Sequence, residues 1–293
     1  MMEFKKITLD DISVIRPFFS LVSSGTCDFS VGGMFMWRKY YDMEYLIDNN
    51  VLYSRLRDEN GNIYYNLPLA EDIEKAISEC TMKWQGENGE IRFCTIPQQY
   101  LSCFLKLYPQ AKVTEQTDYF DYLYNASDLM SFGGSKYHAQ RNQINQFKRN
   151  YSDWLFADIA CVSIDKIKDF WRILYASQNN SYETAIIENK MVTEVLENMD
   201  KYKMIGGALM VNGEIVGFSL GEIIGDTLFT HIEKANREYK GVYQLLTNEF
   251  AKKFGEGVKF INREEDMGDL GLRRAKEAYR PIELLKKYVI EVN

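Results

Sequence analysis

The chain has 293 residues, 46% hydrophobic and 26% charged, with a net charge of −7 at pH 7. That size and 20 Tyr with 17 Phe exclude a disordered chain and provide core for two domains of roughly 150 residues each. The acidic balance argues against a surface that binds nucleic acid throughout, while leaving room for a local basic groove. No apolar run approaches the roughly 18–20 residues that span a bilayer, and the N-terminus has no signal-peptide pattern. The five cysteines form no CxxC pair and no metal-ligand spacing, which reads as reduced thiols in a cytoplasmic protein. With two histidines in all, no metal site is expected.

In chain order, residues 2–9 suit a strand, and Asp10-Asp11 cap a helix through Ile12, Ile15, Phe18 and Phe19. A second helical piece covers roughly 32–41. Strand-like runs follow at 45–47, 51–56 and 63–67, then a helix over 71–84, a strand at 91–95, a helix over 98–108 and strands to Tyr124. After Gly133-Gly134-Ser135 comes a polar helix, residues 136–151. Residues 154–162 read as a strand, 165–178 and 188–202 as helices, and 204–211 with 215–224 as a hairpin joined at Asn212-Gly213. Thr227–Lys234 is a further strand and Val242–Phe254 a helix. A short strand through Ile261, a charged loop, a short helix and a last strand over 282–292 complete the chain.

The same order of elements, β-α-α-β-β-β-α-β-α-β, occurs twice, which predicts a structural duplication without visible residue repetition. The expected boundary is Gly133-Gly134. Residues 1–133 form one domain, expected to be a scaffold, and 134–293 a second that carries the linker helix 136–151 and the site.

Chemistry concentrates in four places. The linker helix supplies Lys136, His138, Arg141, Lys148 and Arg149, and Arg141 with Lys148 would track a phosphate backbone unless the face is simply solvated. His231 and Glu233 alternate on one strand face and are candidate bases, or else a half-buried hydrogen-bonded pair. Residues 236–241 precede a helix, so the backbone around Gly241 suits an anion. The tail run from Asn262 to Pro281 packs both charge signs into twenty residues. On its short helix Leu272, Ala275 and Tyr279 share a face predicted to pack on the sheet, and Arg273, Lys276 and Arg280 form a basic stripe. Asn262, Arg263 and Asp266 sit at a strand end, where open α/β folds often place ligand groups. A basic stripe there suits a phosphate or a tRNA acceptor end, the alternative being internal pairing with Glu264, Glu265, Asp266 and Asp269.

The element order resembles the GCN5-related N-acetyltransferase (GNAT) fold, and its doubled form the Fem-type aminoacyl-tRNA transferases. Residues 136–145, Val216–Glu222, His231–Ala235, Gly241–Gln244 and Phe260–Pro281 resemble the C-terminal domain family of phosphatidylglycerol lysyltransferases. The resemblance implies an α/β fold of two tandem GNAT-like domains. It implies transfer of an aminoacyl group from aminoacyl-tRNA to an amine or hydroxyl, possibly of a lipid head group. Arg273, Lys276 and Arg280, with Arg141 and Gly241, would hold the donor; Asn262, Arg263 and Asp266 would orient the acceptor; His231 or Glu233 would be the base. Full lysyltransferases carry a large membrane portion that this stretch lacks, so contact with a lipid would be peripheral. No cofactor is expected. Arg237 to Tyr243 keeps only Gly241 of the small-residue pattern that cradles coenzyme A, which leaves a coenzyme A-dependent N-acyltransferase as an alternative. A third reading is a noncatalytic binding module on the same fold.

Overall fold

The computed structural model describes residues 3–86, 89–177 and 183–293. The expected start of the first strand at Met2 and the expected helix end at Gln178 lie outside these residues. The chain divides into two compact units that do not follow its order: residues 1–121, 265–270 and 284–293 form the first, and residues 122–264 and 271–283 the second.

The first unit contains β1 (Lys5–Lys6), β2 (Glu44–Asp48), β3 (Val51–Arg57), β4 (Ile63–Tyr65), β5 (Ile91–Pro97) and β6 (Lys112–Glu115). The second unit's sheet is built from β7 (Asp121–Asn125), β8 (Trp154–Asp158), β9 (Ile205–Val211), β10 (Glu214–Ile224), β11 (Thr227–Ala235), β12 (Phe260–Asn262) and β13 (Glu283–Leu285). The last strand, β14 (Lys287–Val292), returns to the first sheet. The strand orders are β1-β2-β3-β4-β5-β14-β6 and β8-β9-β10-β11-β12-β7-β13. Read this way the two sheets match position by position, and in each the sixth place is taken by a strand from the other half of the sequence. The single strand expected over 282–292 is therefore two strands in different sheets. The expected boundary at Gly133-Gly134 falls inside the second unit.

Local expectations are met in part: the strand expected over 2–9 is reduced to Lys5–Lys6, and the helix expected through Phe19 is α-helical only over Ile12–Ile15 and 3-10 beyond. Asn212 and Gly213 both have positive φ (51° and 82°), the geometry of a two-residue hairpin turn, and they join β9 to β10. The strand expected over 154–162 stops at Asp158, whose side chain accepts from Ala160 N at 3.0 Å and turns the chain. In the second unit the helix Val242–Phe254 lays Leu245, Leu246 and Phe250 into a core with Phe147, Leu209, Leu228 and Ile261. Each such buried side chain contributes roughly 1.5–3 kcal/mol.

The short tail helix, Leu270–Ala278, differs from the expected packing. Leu272 is 42% exposed and Ala275 is exposed, whereas Lys276 and Tyr279 are buried. The reason is hydrogen bonding. Helix ends leave carbonyls without partners, and here Tyr124 Oη donates to Lys276 O (2.8 Å), Gln140 Nε2 to Ala278 O (2.6 Å) and Tyr137 Oη to Tyr279 O (3.0 Å). These donors come from β7 and the linker helix region, so the face that meets them is the buried one. Lys276 Nζ then donates to the carbonyls of Arg263 (2.5 Å) and Glu264 (3.0 Å), tying the helix to the loop that follows β12. Replacing Lys276 by Met keeps the stem and removes the donor from two carbonyls. The expected loss is about 1–3 kcal/mol in urea unfolding, the cost of unmade buried hydrogen bonds; unchanged stability would mean that Lys276 does not anchor the helix.

Candidate active site

The site grows from a bulge and a fork in the second sheet. Leu220 pairs with Ile232 and Gly221 with Thr230, so His231 is an extra residue on β11. Gly221 permits it: a Cβ there would lie 2.0 Å from the Phe229 carbonyl oxygen. A bulge re-aims the side chain at its extra residue. Next to it, the parallel pairing of β11 with β12 runs from Thr227–Phe260 to Phe229–Asn262 and stops, while β11 continues to Ala235. Beyond Phe229 the two strands part, and charged side chains fill the fork.

Two linked groups occupy it. His231, its side chain fully buried, lies between Glu222 (Nε2 to Oε1, 3.0 Å) and Glu264 (Nδ1 to Oε1, 2.7 Å), with its ring stacked on Phe229. Burial alone would lower its pKa. The hydrogen bonds that the ring donates to Glu222 and Glu264 outweigh this and push it up to about 10. His231 is thus an imidazolium at neutral pH, donating from both nitrogens. Glu264 is brought to it by a tight turn: its φ is 58° and its N–H donates to Asn262 Oδ1 at 2.6 Å.

The second group is Arg263 with Glu233. Arg263 Nη2 donates to Glu233 Oε1 at 2.8 Å, and Thr247 Oγ1 donates to both Glu233 oxygens at 3.0 and 3.2 Å. The guanidinium lies 4.5 Å from the Tyr279 ring centre. Burial opposes its charge, but Glu233 and the neighbouring Tyr279 and Tyr124 hold its pKa above the ordinary value. Its other terminal nitrogen, Nη1, is buried with no hydrogen-bond partner among the described residues. A charged donor left in that state costs about 1–3 kcal/mol or more, so it is a natural seat for an incoming oxygen.

The remaining expected residues fall in different places. Arg141 Nη1 donates to the carbonyls of Phe132 and Gly134, tying down the turn before its own helix. Gly241 (φ 86°) begins the helix Val242–Phe254, and a Cβ there would meet the Gln143 carbonyl oxygen at 2.3 Å. Its lack of a side chain thus serves the packing of the linker helix. Lys276 is spent on backbone carbonyls, as described above. Arg273 is half-buried and Arg280 exposed. Asp266 belongs to the first unit, is buried, and accepts from Gly268 N at 2.9 Å in a turn. Sequence reasoning named Glu264 only as an alternative partner for the tail cations, not for His231, and missed Glu222, Thr247 and Tyr279 as partners. Glu222 had a usable signal: a lone carboxylate in an apolar strand must find a partner when buried. Ser219, fully buried with an unpartnered hydroxyl, pairs directly across the ladder from Glu233 and had no signal of its own.

Comparison with known proteins places the chain in a family. A solved structure of a conserved protein of unknown function from Bacteroides thetaiotaomicron aligns over 100% of both chains, with 30% identity and a TM-score of 0.90. The C-terminal domain of an Agrobacterium fabrum protein assigned as a lysylphosphatidylglycerol synthetase aligns over 97% of this chain and 92% of that one, at 12% identity and TM-score 0.69. A tandem GNAT protein from the clavulanic acid biosynthesis pathway covers 99% and 98%, at 8% identity and TM-score 0.50. The fold is the expected α/β architecture of two tandem GNAT-like units. The match to a curated relative, an uncharacterised protein of Mycoplasmoides gallisepticum, is 21% identical over 59% of this chain and spans 56% of that protein's length. Residues 19–291 match the family model described as phosphatidylglycerol lysyltransferase, C-terminal, and the chain belongs to that family.

Proposed function

We propose that the chain transfers an aminoacyl group from an aminoacyl-tRNA to an amine or hydroxyl acceptor, with the fork between β11 and β12 as the reaction centre. Membership of the lysyltransferase family supports the reaction class. The observation that carries the local assignment is the buried, unpartnered Arg263 Nη1 beside the Glu233 carboxylate. Attack on the donor ester turns its carbonyl oxygen into an oxyanion, and a fixed cationic donor in a dry site stabilises that charge. Glu233 takes the proton from the attacking N–H or O–H as the new bond to the carbonyl carbon forms. The ester C–O bond then breaks, and the proton passes to the terminal ribose oxygen of the leaving tRNA.

His231 has a different part in this scheme from the one expected of it. As an imidazolium held by two carboxylates it has no lone pair to accept a proton, so it is a positioning residue that holds Glu264 and the loop after β12. Arg273 and Arg280 are assigned to the donor phosphates, Arg280 lying exposed just past the end of the tail helix. Coenzyme A has no part in the scheme. Phosphatidylglycerol is the first acceptor to test, since the family's name supplies it. Among the described residues no helix is long and apolar enough to cross a membrane, and the acceptor head group would be met from the cytoplasmic side.

The transfer assay uses labelled aminoacyl-tRNA with phosphatidylglycerol vesicles or a soluble amine. Glu233→Gln is expected to lower the transfer rate by about 10²–10⁴, the range for a lost general base. Arg263→Lys is expected to lower it by about 10²–10³. Folded variants that transfer at the wild-type rate would overturn both roles.

His231 gives a separate test. Its folded pKa lies above the unfolded value of about 6.5, so its stabilisation is complete below that pH and is lost as the pH rises through about 10. The His231 ring resonances are therefore expected to stay constant between about pH 5 and 8. The melting temperature of the wild type should fall more steeply from neutral pH toward pH 10 than that of His231→Gln. A ring that titrates near neutrality would restore His231 as a base.

A further inference from the structure

In the first unit β4 and β5 meet in the single parallel pair Tyr65–Phe93, where β4 ends while β5 continues to Pro97. Asn66, Cys94 and Thr95, just beyond that pair, line a cavity of about 300 Å³. That volume is at the lower end of those that hold small ligands. Trp37, Tyr41, Tyr64 and Tyr119 supply aromatic walls, and Met34 and Met43 add thioethers. Ring faces and polarizable sulfur both favour a flat aromatic guest. The backbone is strained at the same place: Thr95, a β-branched residue, has a φ of 50°. Strain of that kind collects at ligand clamps.

The polar lining sets the charge and hydrogen bonding that a guest must have. Asp28, Asp58 and Glu265 are among the described residues that line the cavity and no lysine or arginine is, so an anion is disfavoured. A cation gains little, because these acids are engaged. Asp28 lies 2.6 Å and Glu265 3.9 Å from the buried Lys287 ammonium. Asp58 accepts from Asn60 N (2.9 Å), Asn62 N (2.8 Å) and Asn62 Nδ2 (2.7 Å). Two side-chain amides stand near Thr95. Gln116 Oε1 accepts from Thr95 N at 2.8 Å, which makes Nε2 its donor end. Asn66, 6% exposed, accepts from Ser54 Oγ at 3.1 Å through Oδ1, and its Nδ2 donates to Thr95 Oγ1 at 3.3 Å with one of two N–H groups. The amides thus offer N–H donors to an acceptor atom on the guest.

We propose that this cavity binds a neutral, planar nitrogen heterocycle of one or two rings. Its ring lies against the aromatic walls that include Trp37, and a ring nitrogen accepts from the Gln116 and Asn66 amides. Stacking alone would admit any flat apolar ring. The amide donors select one that carries an acceptor, since an apolar guest would leave them unmatched. The acids select against a negative charge on it. The inference does not rest on the transfer reading: binding is measured without tRNA, and its failure leaves the Glu233 and Arg263 assays as they stand.

The test titrates the full chain by ligand-observed NMR with quinoxaline, a neutral bicycle with acceptor nitrogens. Indole serves as a flat ring without an acceptor, quinoxaline-2-carboxylate as an anion and N-methylquinolinium as a cation. Quinoxaline is expected to bind with a Kd of about 0.1–1 mM, as a ligand of about ten heavy atoms can. Indole and N-methylquinolinium should bind about three- to tenfold more weakly, having lost the accepted hydrogen bond. The carboxylate should bind at least about tenfold more weakly. Gln116→Glu keeps an oxygen for Thr95 N and removes the donor, and it should weaken quinoxaline about tenfold. Trp37→Leu should weaken it several-fold. Melting curves confirm that each variant folds, and if one does not, the other decides. No saturable binding of quinoxaline, indole or either charged ring bound as tightly, or wild-type affinity in the folded variants would each overturn the proposal.

Discussion

The parting of β11 from β12 is the constraint on which the second unit's chemistry depends. Once the parallel ladder stops at Phe229 and Asn262, the sheet has an interior gap that must be filled. It is filled by ions, and ions in a dry gap persist only when paired. His231 meets two carboxylates, and Arg263 meets one and an aromatic face. The ion pairs in the fork are also the groups assigned to the proposed reaction, so in that proposal stability and chemistry would share one physical origin.

Several features follow from that gap. The bulge at His231 is needed to turn an imidazole into it, and Gly221 is needed for the bulge. The left-handed backbone of Glu264, supported by Asn262, aims a carboxylate at the imidazole from the other side. Lys276 holds the carbonyls of the same turn. In the first unit the corresponding parallel pairing is the single pair Tyr65–Phe93, where β4 ends and β5 continues, and the first unit's cavity is edged by acids and aromatic rings.

Much of the fold was legible in the sequence because it is written in local patterns. The Asn212-Gly213 turn, the apolar stripes of the two helices before β9, and the order of elements all depend on near neighbours. The tail was legible only as a charged segment. Arg273, Lys276 and Arg280 look alike along a helix, yet Lys276 is buried on two carbonyls while Arg280 is exposed. Nothing within a few residues of Lys276 reveals that the carbonyls of Arg263 and Glu264 await a donor. Likewise the charge on His231 depends on Glu222 and Glu264, one on the preceding strand and one 33 residues later.

The sequence by itself determined the class of fold, the duplicated order of elements and the run of residues that carries the family likeness, since periodicity and turn chemistry act over short distances. Only the tertiary structure decided which sheet β7 and β14 join, because strand pairing is a choice among edges made by the whole fold. It also decided which charges are held inside and which face outward. A side chain's proton and its partners are set by what the fold brings within hydrogen-bonding distance, and for His231, Arg263 and Lys276 those groups come from elsewhere in the chain.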